Sequence, residues 1–292
     1  MKEIIKKAVI PVAGFGTRLL PATKSQPKEM LPIVDKPAVQ YVVEEAIKSG
    51  TENILFVTGR GKRAIEDYFD YAIELEKELE EKGKIELLEA VHSVSEMVKF
   101  FYVRQKIARG LGDAINHAKG FIDEEYFSVL LADDIIESET PCLRQMIDIF
   151  KEHKGIILAV MQIPMDKTNN YGIISGKKIS NGIYEVYDLI EKPEPEEAPS
   201  NIAVVGRYIL SSNIFNAIDS IEPGKGGEIQ LTDAIKNLIG HENIFAYEFK
   251  GTRFDVGEKI GFLIANIAFA LKRKDLGFEL KEYLKKIIEE NI

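Results

Sequence analysis

The feature that most restricts this sequence is an order of events near its amino terminus. The short apolar run Lys6–Ala13 (KKAVIPVA) breaks at Gly14 into a stretch rich in glycine and proline that lasts to Lys36. Such a run has the form of a buried strand entering a loop. Pro37 then opens a predicted helix to about Ser49, stopped by Gly50. Asn53–Thr58 (NILFVT) reads as a second buried strand. Strand, loop, helix and strand in that order predict the start of a parallel sheet with right-handed crossovers.

From about Lys62 to Val98 the pattern is helical, with a charge-dense middle (Glu74–Glu86) that reads as a solvated face broken at Gly83. Lys99–Val103 and Phe127–Leu131 are the next predicted strands, with a helix from Asp113 to about Gly120 between them. A helix near Leu143–His153 leads to the strand Gly155–Ile163. The pattern then changes. Tyr171–Ser175, Ile183–Ile190 and Ile202–Leu210 predict strands of mixed faces around turns such as Ser180-Asn181-Gly182, and Glu191–Ser200 is too proline-rich for regular structure. Helices at Asn213–Ser220 and Leu231–Ile239, strands at Asn243–Tyr247 and near Arg253–Val256, and a helical tail from Glu258 complete the reading. The expected architecture is one α/β domain over residues 1–292, a doubly wound, mixed but mainly parallel sheet with added strands and C-terminal helices.

A net charge of −9 argues against broad nucleic-acid binding, which needs a basic surface. No apolar run approaches the roughly 20 residues that span a bilayer, so no membrane partner is expected. Met1–Lys7 lacks the apolar core of a secretory leader, and Cys142 is the only cysteine, so the expectation is a reducing cytoplasm. The four histidines show no metal-ligand spacing. Charge is unevenly spread: from Ile4 to Lys28 there is no Asp or Glu, but there are Lys6, Lys7, Arg18, Lys24 and Lys28. A basic, glycine-containing segment in an acidic chain suits a local anion such as a phosphate chain.

The turn Ala13-Gly14-Phe15-Gly16-Thr17-Arg18 offers backbone amides to phosphate. A dinucleotide fingerprint would need glycine where Leu19 stands, and the Gly-Lys-Ser/Thr of a Walker loop occurs nowhere. Both common nucleotide motifs therefore fail at named positions. The longer run does match a pattern: Val12–Arg18, then Pro21-Ala22-Thr23-Lys24, then Pro27-Lys28-Glu29-Met30-Leu31-Pro32 resembles the signature of sugar-phosphate nucleotidyltransferases. The second and third segments look like the bacterial UTP–glucose-1-phosphate uridylyltransferase branch. The likeness runs nearly end to end, through Gln40–Ala46, Val103-Arg104-Gln105, Gly110-Leu111-Gly112, Leu131–Asp134, Asn170–Ile174, Glu191-Lys192-Pro193, Val205–Tyr208 and Gly227–Ala234.

That resemblance implies a Rossmann-like nucleotidyltransferase fold, with about 1–165 binding the nucleotide, about 166–257 the sugar phosphate, and about 258–292 forming C-terminal helices. It implies displacement at the α-phosphorus of UTP by glucose 1-phosphate, giving UDP-glucose and pyrophosphate. No general base is required, because a sugar phosphate is already largely ionised near neutral pH. Arg18 and Lys28 are the implied catalytic cations; Ala13, Gly14, Gly16 and Thr17 the phosphate-binding turn; Gln105 and Gly110 the base pocket. Gln105 can donate and accept together, matching O4 and N3–H of uracil. Gly172, Glu191, Lys192 and Val205 are the implied sugar-phosphate residues, with Glu228 a weaker candidate and Tyr208 assigned to the core. The proline after Lys192 is expected to hold it extended. Mg2+ is expected on Asp133 and Asp255, with Asp134 the competitor at the first position. A homo-oligomer, dimer or tetramer, is implied by resemblance. The alternatives are a thymidylyl-, guanylyl- or adenylyltransferase, or a non-catalytic sugar-nucleotide sensor on the same fold.

Overall fold

A computed structural model of the chain describes residues 5–290; the part of the leader reading that rests on Met1–Ile4 lies outside the described residues. The first apolar run forms β1 (Lys7–Pro11), and the loop after it contains three single 3-10 turns before a hairpin of β2 (Pro32–Ile33) and β3 (Lys36–Pro37). Pro37 caps α1 (Ala38–Lys48), which leads to β4 (Asn53–Thr58). The charge-rich segment is three helices, α2 (Arg63–Phe69), α3 (Ile73–Glu81) and α4 (Ile85–Ser95). Gly83, at φ +64, makes one break, and Asp70–Ala72 makes a second that the sequence pattern did not mark.

Then come β5 (Lys99–Arg104), α5 (Leu111–Asn116), β6 (Tyr126–Leu130), β7 (Asp134–Glu137), α6 (Cys142–His153) and β8 (Ile156–Gln162). The second half supplies β9 (Gly172–Ser180), β10 (Ile183–Glu191), β11 (Ile202–Ser211), α7 (Ile214–Ser220), α8 (Leu231–Lys236), β12 (Ile244–Glu248), β13 (Thr252–Asp255), α9 (Lys259–Lys272) and α10 (Gly277–Glu289). Strand β7 was not foreseen: its partner is β13, in a two-stranded ribbon apart from the main sheet.

The main sheet has nine strands in the order β5-β4-β1-β6-β11-β8-β12-β10-β9. Parallel pairing joins β5, β4, β1 and β6, and also β8 with β12. Only β10 and β11 run against the rest, so the sheet is mixed and mainly parallel. The central strands are buried on both faces. In β1, Val9 faces the core under α5, α7 and α8, while Ala8 and Ile10 face the one under α1 and α6. Leu55 and Val57 against Ile54 and Phe56 repeat that division in β4, as successive side chains of a strand must.

This order puts the carboxyl ends of β5, β4, β1 and β6 side by side, where doubly wound sheets bind ligands. The segments that leave them are stitched together: Val12 N donates to Val57 O at 2.9 Å and Gln105 N to Thr58 O at 2.9 Å. Helix α9 buries Ala265 against Ile33, Phe254 and Val256, while Ile260, Leu263 and Ile264 on its other faces are exposed. No helix among the described residues is long and apolar enough to cross a membrane.

Candidate active site

Because β1 pairs with β6, the glycine turn that leaves the first strand lies beside Asp133, which follows the second. Gly16 has φ +66, and a side chain there would meet Lys28 Cβ at 3.1 Å and Thr23 Cγ2 at 3.2 Å. Thr23 Oγ1 also donates to Gly16 O at 2.8 Å. Gly16 is therefore a seat on which the loop folds back, carrying Lys28 beneath the turn; it does not itself line a cavity. Ala13, Gly14 and Thr17 do, in a cavity of about 380 Å3 shared with Lys28, Gln105 and Gly110.

Lys28 Nζ lies 2.5 Å from Asp133 Oδ2. Burial opposes both charges, yet pairing prevails: Asp133 and Glu29 hold the lysine above its usual range, and Lys28 and Arg18 hold the Asp133 carboxyl below its own. Arg18 is half-exposed, 3.9 Å from Asp133 Oδ2 and 2.8 Å from Glu258 Oε1 at the start of α9.

The two adjacent aspartates have different duties. Both oxygens of Asp134 are engaged, Oδ2 by the Gly206 amide at 2.8 Å and Oδ1 by Arg253 Nε at 2.6 Å. Asp133 instead faces both cavities of the site. Strand β13 aligns Asp255 opposite Asp134, and Val256 N donates to Asp133 O at 2.9 Å, which brings Asp255 to the same cavity as Asp133. Burial and then the charges of Asp134 and Asp133 push the Asp255 carboxyl above its ordinary range, against the pull of Arg253. Arg207, fully buried, fixes the turn between β6 and β7: it is held by both oxygens of Glu45 on α1 and donates to Leu131 O at 3.2 Å and Asp134 O at 2.7 Å.

At the far end of the first cavity, Gln105 is buried and donates from Nε2 to Asp113 Oδ2 at 2.7 Å. Its second contact from Nε2, to Gly110 O, is a long 3.4 Å. Gly110 has φ +109, and a Cβ there would stand 2.6 Å from Ile229 O. Close packing against the 228–229 segment thus demands glycine at this position, in addition to any ligand.

The second cavity, about 240 Å3, contains Gly172, Glu191, Lys192, Val205, Arg18 and Asp255. Gly172 pairs with Glu191 across β9 and β10, and its missing side chain leaves room for Glu191 Oε2 and Thr232 Oγ1, which bond each other at 2.6 Å. The expectation for Lys192 is overturned: its φ is +48, not extended. Proline at 193 disfavours the right-handed helical region for its predecessor, but here the Lys192 amide turns back to Tyr171 O at 2.9 Å, which selects the left-handed side at a cost of about 1 kcal/mol. Lys192 Nζ sits 3.1 Å from Glu191 Oε1. Val205 and Tyr208 are buried, and both contribute to the cavity wall as well as to the core.

The two cavities share Leu111, Leu131, Asp133 and Glu228, so they meet at Asp133. Every candidate residue except Gly16 lines one or the other. Sequence reasoning did not single out Arg253, Thr232, Glu258 or Asp113. Arg253 stands two residues before Asp255 on one strand, a spacing that places both on one face and could have marked it. Thr232 and Glu258 act on side chains distant in sequence, so no local pattern identifies them, whereas Asp113 lies four residues after Arg109 and eight after Gln105.

Comparison with known proteins identifies the family. The profile of the nucleotidyl transferase family matches residues 7–270. A UTP–glucose-1-phosphate uridylyltransferase of Staphylococcus epidermidis is 50% identical over 287 residues, 98% of this chain and 99% of that one. Its Bacillus subtilis counterpart is 49% identical over 288 residues, 99% and 98% of the two chains. Among solved structures, a UDP-glucose pyrophosphorylase complexed with UDP-glucose superposes with a TM-score of 0.85 at 44% identity, covering 92% of this chain and all of its own. A UTP-bound UGPase from Acinetobacter baumannii gives 0.89 at 40% identity, covering 97% and 99%. The chain belongs to the nucleotidyl transferase family, on its UTP–glucose-1-phosphate uridylyltransferase branch.

Proposed function

We propose that this chain transfers the uridylyl group of UTP to α-D-glucose 1-phosphate, forming UDP-glucose and releasing pyrophosphate. The observation that carries the reading is the pair of cavities meeting at Asp133, one edged by the glycine turn and Gln105, the other by Glu191 and Lys192. Two anionic reactants brought from opposite sides to one point is the arrangement an in-line displacement requires.

In this reading the turn amides from Ala13 to Thr17 and the Arg18 guanidinium hold the β- and γ-phosphates. Lys28 lies against the α-phosphate and stabilises charge as it develops there. Lys192 holds the phosphate of the sugar, and Glu191 accepts from sugar hydroxyls over Gly172, whose lack of a side chain admits the ring. Val205 supplies wall. A phosphate oxygen of glucose 1-phosphate bonds to the α-phosphorus as the bond to the departing pyrophosphate breaks, and no proton has to move. Gln105 meets the uracil edge with one acceptor and one remaining amide hydrogen, and Gly110 lies beside it.

The residues fit a magnesium ion. Asp133 and Asp255 are hard oxygen donors on one cavity, and a divalent cation would offset the burial and the neighbouring Asp134 and Asp133 charges that raise the Asp255 carboxyl. An ion held by two carboxylates would take its remaining ligands from water and substrate phosphates. When bound, it would neutralise phosphate charge during the displacement.

The same reading treats the chain as one domain, supported by a sheet that interleaves strands of both halves. It includes a homo-oligomer, supported by the exposed apolar side chains of α9, and a cytoplasmic location, supported by the free thiol of Cys142. The test is to supply UTP labelled at the α-phosphate with glucose 1-phosphate and Mg2+. Label should move into a species that co-elutes with UDP-glucose; label retained in UTP would count against the proposal.

A further inference from the structure

Behind Gln105, outside the cavity lining, the carboxylate of Asp113 is buried on the first turn of α5. Its Oδ2 accepts from Gln105 Nε2 at 2.7 Å, and its Oδ1 accepts from Arg109 Nη2 at 2.7 Å and Nε at 3.2 Å. The two bonds from the guanidinium fix which way the Asp113 oxygens point, and a carboxylate has no hydrogen to give. This matters because the terminal torsion of a glutamine is roughly two-fold: without a neighbour to decide, the amide can present either end to a ligand. Here only one orientation avoids an oxygen-to-oxygen clash of charge. Nε2 must face Asp113, which leaves Oε1 and the second amide hydrogen for the cavity; that hydrogen's present partner, Gly110 O, is distant at 3.4 Å.

We propose that Asp113 is the positioning residue that sets base selection, by holding the Gln105 amide in the orientation that reads N3–H and O4 of a uracil-type ring. The flipped amide would donate to N3 of cytosine and accept from its 4-amino group, but it would turn Oε1 against the Asp113 carboxylate. Cytosine is thus refused by a residue that does not touch it. This inference rests on the reading that the pyrimidine meets Gln105.

The test is Asp113→Asn, which keeps the shape but can donate as well as accept, so that both orientations of Gln105 become available. The ratio of kcat/KM for UTP to that for CTP should fall by about tenfold or more, chiefly through a gain with CTP. A general loosening of the fold would instead lower both values together. Arg109→Ala, at a side chain 63% exposed, should shift the ratio the same way by a smaller factor. If Asp113→Asn does not fold, Arg109→Ala decides, and an unchanged ratio there overturns the inference. An unchanged ratio in folded Asp113→Asn overturns it too. Gln105→Ala separates the two layers. If it abolishes discrimination while Asp113→Asn does not, the positioning role is wrong and the base site stands. If Gln105→Ala alters neither the KM for UTP nor the ratio, the base site is wrong and the inference falls with it.

Discussion

Lys28 Nζ and Asp133 Oδ2, 105 residues apart in sequence, lie 2.5 Å from each other at the point where the two cavities of the site meet. The pair joins the loop after β1 to the turn after β6, and Gly16 and Arg207 fix its two ends from behind. In the proposed reaction Lys28 exchanges Asp133 for a phosphate while a cation takes over the aspartate.

Lys28→Met and Asp255→Ala should each lower kcat by about a hundredfold or more, the scale of removing one stabilising charge from a transition state. Circular dichroism and the thermal midpoint establish that the variants are folded. A folded Asp255→Ala variant with near-normal turnover would rule out the two-carboxylate metal site.

Next to Lys28, the side chains of Glu29 and Lys62 form an ion pair at 2.7 Å, with exposures of only 1% and 6%. Burial pushes the Glu29 carboxyl above its ordinary 4.5 and the Lys62 ammonium below its ordinary range, each opposed by the partner. Lys62→Met should destabilise the protein by on the order of 3–5 kcal/mol, since a buried carboxylate loses its counter-charge. In that variant the folded state retains a proton on Glu29 that the unfolded chain releases, so stability falls as pH rises from the unfolded value towards the folded one. The gap in thermal midpoint between wild type and variant should therefore be smaller at about pH 5 than at about pH 8. An equal gap at both would contradict a buried, uncompensated carboxyl.

Gly14 and Gly110 should separate ligand space from protein space. A Cβ at Gly14 meets nothing within 4 Å, so Gly14→Ala should fold with a wild-type midpoint and yet raise the KM for UTP by about tenfold, if phosphate occupies that gap. Gly110→Ala, with φ +109 and a contact of 2.6 Å to Ile229 O, should lose stability by about 2 kcal/mol or more. Denaturant titration and steady-state kinetics on both variants check this.

Much of the fold was legible because its signals are local. Lys6–Ala13 and NILFVT are short apolar runs with breakers beside them, and the strands lie where those runs do. Strand β7 was missed because Asp134–Glu137 exists as a strand only through pairing with Thr252–Asp255, contributed from far along the chain. Lys192 went wrong for a related reason: the rule for residues before proline describes an isolated chain, and the bond to Tyr171 O overrides it. The candidate site residues came from resemblance more than from spacing. Residues that hold others across the fold, such as Arg207 on Glu45 and Thr232 on Glu191, carry no sequence mark of the side chains they will meet.

Cys142 is fully buried, and burial raises its thiol well above the usual range. It should resist alkylating reagents in the native protein near neutral pH and react fully after unfolding. Rapid native modification, followed by mass spectrometry, would contradict the packing of α6.

The most direct measurement is pyrophosphate release from the purified protein with glucose 1-phosphate and magnesium, offering UTP, dTTP, ATP, CTP and GTP separately. Release with UTP far above the others, abolished by a metal chelator, is the expected result. Release that prefers a purine nucleotide or CTP, or no release with any of them, would contradict the account.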